Sequence, residues 1–322
     1  QQDANQQLDY AISQGVNFID TAEMYAIPPN ADTYGTTETI LGNWLAHHKE
    51  KREKLVIATK IAGPGLPYIR NGSKMSGESV IQAVDDSLKR LQTDYIDLYQ
   101  LHWPNRSFPH FSKSWPNQIK FSEANKEQVN AEMLDVLQAL STCIDAGKIR
   151  YCGLSNETPW GINQYLKLAS EHNLPKMVSI QNEFNLLHTK DWPYLIENCT
   201  HQDVAYLPWS PLAAGMLSGK YLNGALPAGS RWTYMQRNGL FRDTPASHQA
   251  VAAFAELANK NNISPATMAL AWCNHIDGVT SSIIGATKMS QLKEDIAAFE
   301  VELSDDLMSD IDKILRQYPS PY

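Results

Sequence analysis

The sequence predicts an α/β fold of alternating strands and helices, a (β/α)₈ TIM barrel, and three observations point there. Seven short apolar runs are each followed, after a loop, by an amphipathic stretch. No GxGxxG motif follows the first run, which argues against an open dinucleotide-binding sheet. Polar, reactive residue types stand at the C-terminal ends of most runs: Asp20, Lys60, His102, Ser155-Asn156, Gln181 and Ser210. That is the rim at which such barrels carry their active sites.

Taken in order, residues 2–14 read as a helix and Val16–Ala22 as a strand. Further strands are expected at Leu55–Lys60, Tyr95–His102, Ile149–Asn156, Met177–Phe184, Val204–Ser210 and Ser281–Ala286. Several are almost continuously apolar, as in parallel strands covered on both faces. Between them, Leu88 and Leu91 close one helix before Asp94. Met133, Leu134, Val136, Leu137, Leu140 and Ile144 recur at helical spacing and end at Ala146-Gly147, a C-cap pattern. Thr158-Pro159, Thr244-Pro245 and Ser264-Pro265 each set a hydroxyl N-cap before a proline suited to the first turn.

Seven strands are one short of closure, and a barrel lacking a strand exposes two sheet edges. The expectation is therefore that a first strand is absent from this sequence, which starts inside the first helix. Two insertions, Pro104–Gln128 and Lys220–Pro245, read as loops over the mouth. No linker composition interrupts the chain, so residues 1–322 are expected to form a single domain.

Composition narrows the function. Of 322 residues, 43% are hydrophobic, enough for a sizeable core, and the charges give 27 − 35 = −8. An acidic surface repels polyanions, so neither nucleic acid nor anionic membrane is an expected partner. Val204–Leu217, the longest weakly polar run, contains two prolines and is too short to span a bilayer. Cys143, Cys152, Cys199 and Cys273 show no paired or metal-type spacing, which suits free thiols in a reducing compartment such as the cytoplasm. Oligomeric state is left open.

The stretch Asn17-Phe-Ile-Asp-Thr-Ala-Glu-Met-Tyr25 carries the most chemistry. Thr59-Lys60 and Leu101-His102-Trp103 complete it on the next two strand ends. Taken singly, Asp20 reads as a cap acid, Lys60 as a solvated charge, Tyr25 as a packing aromatic and His102 as a turn histidine. Their joint occurrence on successive strand ends favours catalysis. Reducing a carbonyl needs a hydride donor, a proton donor and a group that polarises the oxygen. A phenol is ordinarily too weak an acid for this at neutral pH. An ammonium ~4 Å away, at an effective dielectric of about 20, attracts a phenolate by on the order of 4 kcal/mol. A carboxylate keeps that ammonium charged and aimed.

In sequence order, these pieces together with Tyr95-Ile-Asp-Leu-Tyr, Gly153-Leu-Ser-Asn156, Ile180-Gln-Asn182, Trp209-Ser-Pro-Leu212 and Ile284-Gly-Ala286 resemble the aldo-keto reductase family. The likeness is nearest to the branch of Tas-type bacterial reductases and potassium-channel β-subunits. It implies that an N-terminal hairpin preceding the first strand is absent from this sequence as well. By that resemblance Tyr25 is the general acid, Lys60 its perturber, Asp20 the lysine's partner and His102 the group that orients the carbonyl. The cofactor implied is NADP(H). Its carboxamide falls to Ser155, Asn156 and Gln181, its ring to Trp209, and its pyrophosphate to the loop Ser210, Pro211, Leu212, Ala213, Gly215 and Lys220. Arg231 resembles a second phosphate contact. Lys220 and Arg231 equally suit exposed loop cations. Gly285, Thr287, Lys288, Gln291, Glu294 and Asp295 match the site for the adenosine end, with Thr287 and Lys288 at a helix start that favours a 2′-phosphate. Asp295 stands where the family usually has Asn, so it can accept from adenine's amine but not donate when ionised.

The resemblance implies NADPH-dependent reduction of small-molecule aldehydes or ketones. The alternative is an NADP-binding, redox-sensing regulatory subunit with little turnover. In the channel subunits the histidine is replaced, so His102 favours an enzyme. A barrel hydrolase or isomerase would bind no nicotinamide. Aromatics of two insertions, Phe108, Phe111 and Trp115 in Phe108–Glu123, and Trp232 and Tyr234 in Trp232–Arg242, suggest a pocket for an apolar or aromatic carbonyl.

Overall fold

The computed structural model describes residues 1–111, 113–234 and 240–322. The chain falls into two compact units, Gln1–Ile180 and Gln181–Tyr322. In the first unit, α1 (Gln2–Ser13) leads into β1 (Phe18–Asp20), followed by α2 (Thr36–His47), β2 (Val56–Ile61), α3 (Gly77–Leu91), β3 (Ile96–Leu101), α4 (Lys126–Asp145), β4 (Ile149–Ser155) and α5 (Pro159–His172). β5 (Met177–Glu183) runs across the boundary. The second unit continues with α6 (Tyr194–His201), β6 (Ala205–Trp209), α7 (Arg231–Tyr234), α8 (Pro245–Lys260), α9 (Pro265–His275), α10 (Met289–Ala297) and α11 (Asp305–Gln317).

The strands follow chain order, β1-β2-β3-β4-β5-β6. β1 to β4 pair in parallel, with Ile19 opposite Ile57, Tyr99 opposite Thr59, and Leu101 opposite Leu154. Parallel neighbours joined by helices are the pattern of a (β/α)₈ barrel. All six residues of β3 and five of the six in β2 are buried, as their unbroken apolar sequences require when helices cover both faces. Six expected strands match within two residues at each end. The seventh does not: Ser281–Ala286 forms no strand, and that region contributes only the isolated parallel bridges Tyr206–Val279 and Trp209–Ile283.

The helix signals act locally and hold as read. Thr158, Thr244 and Ser264 each accept a hydrogen bond from the backbone N–H three residues on, and a proline fills the first turn of all three helices. α4 is C-capped by Ala146, with Gly147 in the left-handed region. The cysteines are free and buried. Among the described residues no helix is long and apolar enough to cross a membrane.

Candidate active site

β1 delivers Asp20 and β2 delivers Lys60, two parallel neighbours whose C-terminal ends lie side by side. Lys60 is fully buried and its ammonium donates to Asp20 Oδ2 at 2.5 Å and to the Thr21 carbonyl at 2.9 Å. A buried charge survives only when paired and hydrogen-bonded. The other Asp20 oxygen accepts from the Gln100 amide at 3.0 Å. Gln100 is itself fully buried on β3, and the sequence reading passed over it. Its signal was there: an amide inside an otherwise apolar buried strand must find a partner.

Tyr25 sits on the turn after β1, its N–H bonded to the Ala22 carbonyl at 3.0 Å. Its ring packs on a cluster of Ala22, Met24, Ala62 and Ile69. The Lys60 ammonium stands 5.3 Å from the centroid of that ring. His102, one residue past β3, meets the ring edge-on with centroids 5.6 Å apart and an interplanar angle of 77°. Burial, aided by the Lys60 charge, pushes the His102 pKa well below its ordinary range. The imidazole is therefore neutral at physiological pH and keeps one N–H donor. Its Nδ1 has no hydrogen-bond partner.

β4 ends in Ser155 and Asn156, both buried. The Asn156 amide donates to the His102 carbonyl at 2.9 Å and to the Ser155 hydroxyl at 3.1 Å, and Asn156 takes φ +53° to do so. The first unit thus brings together Asp20, Tyr25, Lys60, His102, Ser155 and Asn156.

Beside them a cavity of about 490 Å³ is lined by Met24, Trp103, Arg106, Phe108, Phe111 and Lys113, among others. Gly63 lets the Trp103 indole lie directly on the backbone beyond β2, where any side chain would collide with it, and Trp103 donates to the Pro64 carbonyl at 3.0 Å. Phe108 and Phe111 line the cavity as expected of that insertion, while Trp115 lies outside it and is half exposed. Arg106 is committed to a bidentate pair with Glu157. The expectation for Trp232 is corrected. It is buried and stacks on Tyr221 at 4.2 Å, making it a core aromatic rather than a pocket wall. Residues 235–239 of that insertion, and Ser112 of the other, lie outside the described residues.

In the second unit Gln181 is buried on β5 and Trp209 closes β6. Ser210, Ala213, Ala214, Gly215 and Gly219 all adopt left-handed φ between +48° and +89°. They wind the chain into tight turns in which the N–H groups of Ala213, Gly215 and Gly219 donate to the Ser210, Leu212 and Met216 carbonyls. Pro211 and Leu212 lie within these turns, and Leu212 accepts from Gly215 N–H and Leu217 N–H. Lys220 folds back over them, so close that a β-carbon on Gly215 would stand 2.8 Å from its Nζ. Half-burial pushes the Lys220 pKa down; Asp295 opposes this, and Arg231 and Lys288 add to it. These four charges therefore share one region.

At the start of α10, Thr287 donates through both its N–H and its hydroxyl to Gln291 Oε1 at 3.2 and 3.0 Å. Gln291 is thus occupied in ordering the helix start. Glu294 accepts from Ser264 at 2.5 Å. Gly285, Thr287 and Lys288 are exposed, and a β-carbon on Gly285 would meet open space. Burial, reinforced by Glu294 and opposed by Lys220, raises Asp295 to about 6. Sequence reading also missed Glu183 and Arg242. The Arg242 guanidinium donates twice to Glu183 Oε1, at 2.8 and 2.6 Å, and lies 5.8 Å from the Trp209 ring.

The family description "Aldo/keto reductase family" matches residues 1–316. "Protein tas" of Escherichia coli (strain K12) is 44% identical over 325 residues, covering 99% of this chain and 91% of the relative. An "Aldo-keto reductase" of Babesia bovis is 38% identical, covering 76% of this chain and 88% of the relative. "Uncharacterized oxidoreductase YrpG" of Bacillus subtilis (strain 168) is 28% identical, covering 98% and 86%. A match of that extent, on a chain that gathers Asp20, Tyr25, Lys60 and His102 at adjoining strand ends, means that the protein belongs to the aldo/keto reductase family of oxidoreductases.

Proposed function

We propose that the protein reduces aldehydes or ketones to alcohols with NADPH, the proton coming from Tyr25. One observation carries the reading: a fully buried ammonium, Lys60, paired to Asp20 at 2.5 Å and 5.3 Å from the centre of the Tyr25 ring. Bound reduced nicotinamide supplies the hydride. This chain's residues do the rest. The Tyr25 hydroxyl gives its proton to the carbonyl oxygen as that oxygen gains charge, and Lys60 stabilises the phenolate left behind. Asp20, held by Gln100, keeps the ammonium aimed. Neutral His102 offers an N–H to the carbonyl oxygen without adding a second positive charge to the site.

Ser155 and Asn156 suit a carboxamide because they present both donors and acceptors, and Gln181 is of a side-chain type that suits one as well. Lys220, Arg231 and Lys288 suit phosphates, and with Thr287 they favour NADP over NAD. The substrate is a small apolar or aromatic carbonyl compound, in keeping with the Met24, Trp103 and Phe108 walls.

Following NADPH consumption over a broad aldehyde panel tests the proposal. Turnover with aromatic aldehydes, faster with NADPH than with NADH, is expected. Tight NADPH binding without turnover would instead mean a redox-sensing subunit, and no nicotinamide binding would remove both readings.

Asp295 adds a pH dependence. With its pKa raised to about 6, it is uncharged below that value and ionised above it, where it repels a nearby phosphate. Replacing it by asparagine keeps an acceptor for adenine and removes the charge. Fluorescence titration with NADP⁺ should give equal affinities for wild type and Asp295→Asn near about pH 5. Near about pH 8 the variant should bind roughly three- to tenfold more tightly, a difference of about 1 kcal/mol. A ratio that does not move with pH contradicts the role.

A further inference from the structure

The turn bearing Tyr25 is tied down by a second ion pair two residues before it, with a buried carboxylate and a half-buried guanidinium. Glu23 is the last residue of the first strand region still bonded to the sheet, through its N–H to the Lys60 carbonyl at 3.1 Å. Its carboxylate is buried and accepts from the Ala62 N–H at 2.5 Å. Arg70 grips both carboxylate oxygens, at 2.9 and 2.7 Å, and reaches on to the Ala62 carbonyl at 2.7 Å. The Glu23 carbonyl takes the Gly35 N–H at 2.7 Å and the Tyr25 carbonyl takes the Thr37 N–H at 3.4 Å. One guanidinium therefore joins the loop that carries Tyr25 to the strand exit that carries Lys60.

The local backbone is bent to allow this. Arg70, Asn71 and Gly72 have φ of +48°, +55° and +72°. Two of the three are L-residues in a region such residues seldom occupy, and strain of that kind persists only where surrounding structure holds it. Beside them, Ile69, Leu66 and Tyr68 pack into the same apolar cluster as Tyr25. The contacts of the Arg70 guanidinium run to Glu23 and Ala62, and through them it acts on the segments that carry Tyr25 and Lys60.

We infer that Glu23 and Arg70 are positioning residues for the reaction: their latch sets where the Tyr25 hydroxyl stands relative to the Lys60 ammonium. The inference rests on Tyr25 being the proton donor. Proton transfer is steep in distance, and a displacement of about 1 Å in a reacting group costs on the order of a hundredfold. Losing the latch should therefore act on turnover and leave binding alone. Cofactor phosphates and the carboxamide are assigned to other residues, and Arg70 does not line the cavity.

The test uses Arg70→Met, Arg70→Lys and, in parallel, Tyr25→Phe, with aromatic aldehyde and NADPH. Arg70→Met should lower kcat by ten- to a hundredfold while the aldehyde KM and the NADP⁺ Kd stay within about twofold. Arg70→Lys keeps the charge but loses the two-pronged grip, and should regain part of the loss. It also stands in for Arg70→Met should that variant not fold. Hydrogen exchange gives a readout independent of activity: amides of residues 21–37 and 60–63 should exchange faster in the variants, with β3 unchanged. Unchanged exchange overturns the latch, whatever the activity. Faster exchange with kcat within twofold of wild type overturns the positioning role, as does a parallel fall in kcat, substrate binding and cofactor binding. If Tyr25→Phe turns over like wild type, the proton-donor reading fails instead, and exchange alone then judges the latch.

Discussion

Replacing Tyr25 by phenylalanine should cut kcat for aldehyde reduction by roughly two to four orders of magnitude, the range that a positioned general acid contributes. The change removes only the hydroxyl. The ring that packs on Ala22, Met24, Ala62 and Ile69 remains, so the melting temperature should move by no more than a degree or two. Lys60 keeps its bonds to Asp20 and to the Thr21 carbonyl, and no charge is left stranded. NADP⁺ affinity, proposed to reside in Ser155, Asn156, Gln181 and the cations of the second unit, should be unchanged. Steady-state kinetics and a cofactor titration on the same preparation separate these effects. A fall in kcat of less than tenfold would mean that the proton comes from elsewhere, His102 or water being the remaining sources.

The largest expected loss of stability is at Arg242. Its guanidinium and the Glu183 carboxylate are each only 3% exposed, and Tyr322 and Asn185 donate to the same carboxylate at 2.9 and 3.4 Å. Burial alone would raise the Glu183 pKa. Arg242 and His188, with hydrogen bonds from Arg242 and Tyr322, outweigh burial and hold it below its ordinary range. A carboxylate whose folded pKa is depressed contributes stability above its unfolded pKa and loses it as pH falls through the folded value. Arg242→Met strands that charge in the interior, at a cost of about 3–5 kcal/mol near neutrality. The melting temperature should drop by on the order of ten degrees. The penalty should shrink in acid, where an unpaired buried Glu183 takes up a proton. Thermal melts of wild type and variant from about pH 4 to about pH 8 would show the gap narrowing toward acid. A gap constant with pH would mean that Arg242 stabilises by packing on Phe241, 4.1 Å away, rather than by charge.

Much of the candidate cluster was legible because its members, Tyr25 on the turn after β1 excepted, lie within a residue of a strand's C-terminal end. An apolar run predicts a buried strand, and the first polar residue past it falls on the rim, so Asp20, Lys60, His102 and Ser155-Asn156 could be placed from pattern alone. Helix starts were equally readable, since a hydroxyl before a proline acts within one turn, as at Thr158, Thr244 and Ser264. The last expected strand failed for a related reason. Ser281–Ala286 is too weakly apolar to separate a strand from an extended segment making a single bridge, at Ile283. Trp232 was misplaced because an aromatic in an insertion reads the same whether it lines a pocket or, as here, stacks in the core on Tyr221.

The sequence by itself determined what is periodic or local: the six strands with strongly apolar runs, helix caps, and which reactive side chains lie at strand ends. Only the tertiary structure decided the pairings, because a hydrogen bond between distant residues leaves no spacing to read. Gln100 reaching Asp20 across 80 positions, Arg70 closing on Glu23 across 47, and Arg242 on Glu183 across 59 are of this kind. In each the deciding quantity is the cost of leaving a buried polar group unpaired, and that cost exists only once folding has removed the water.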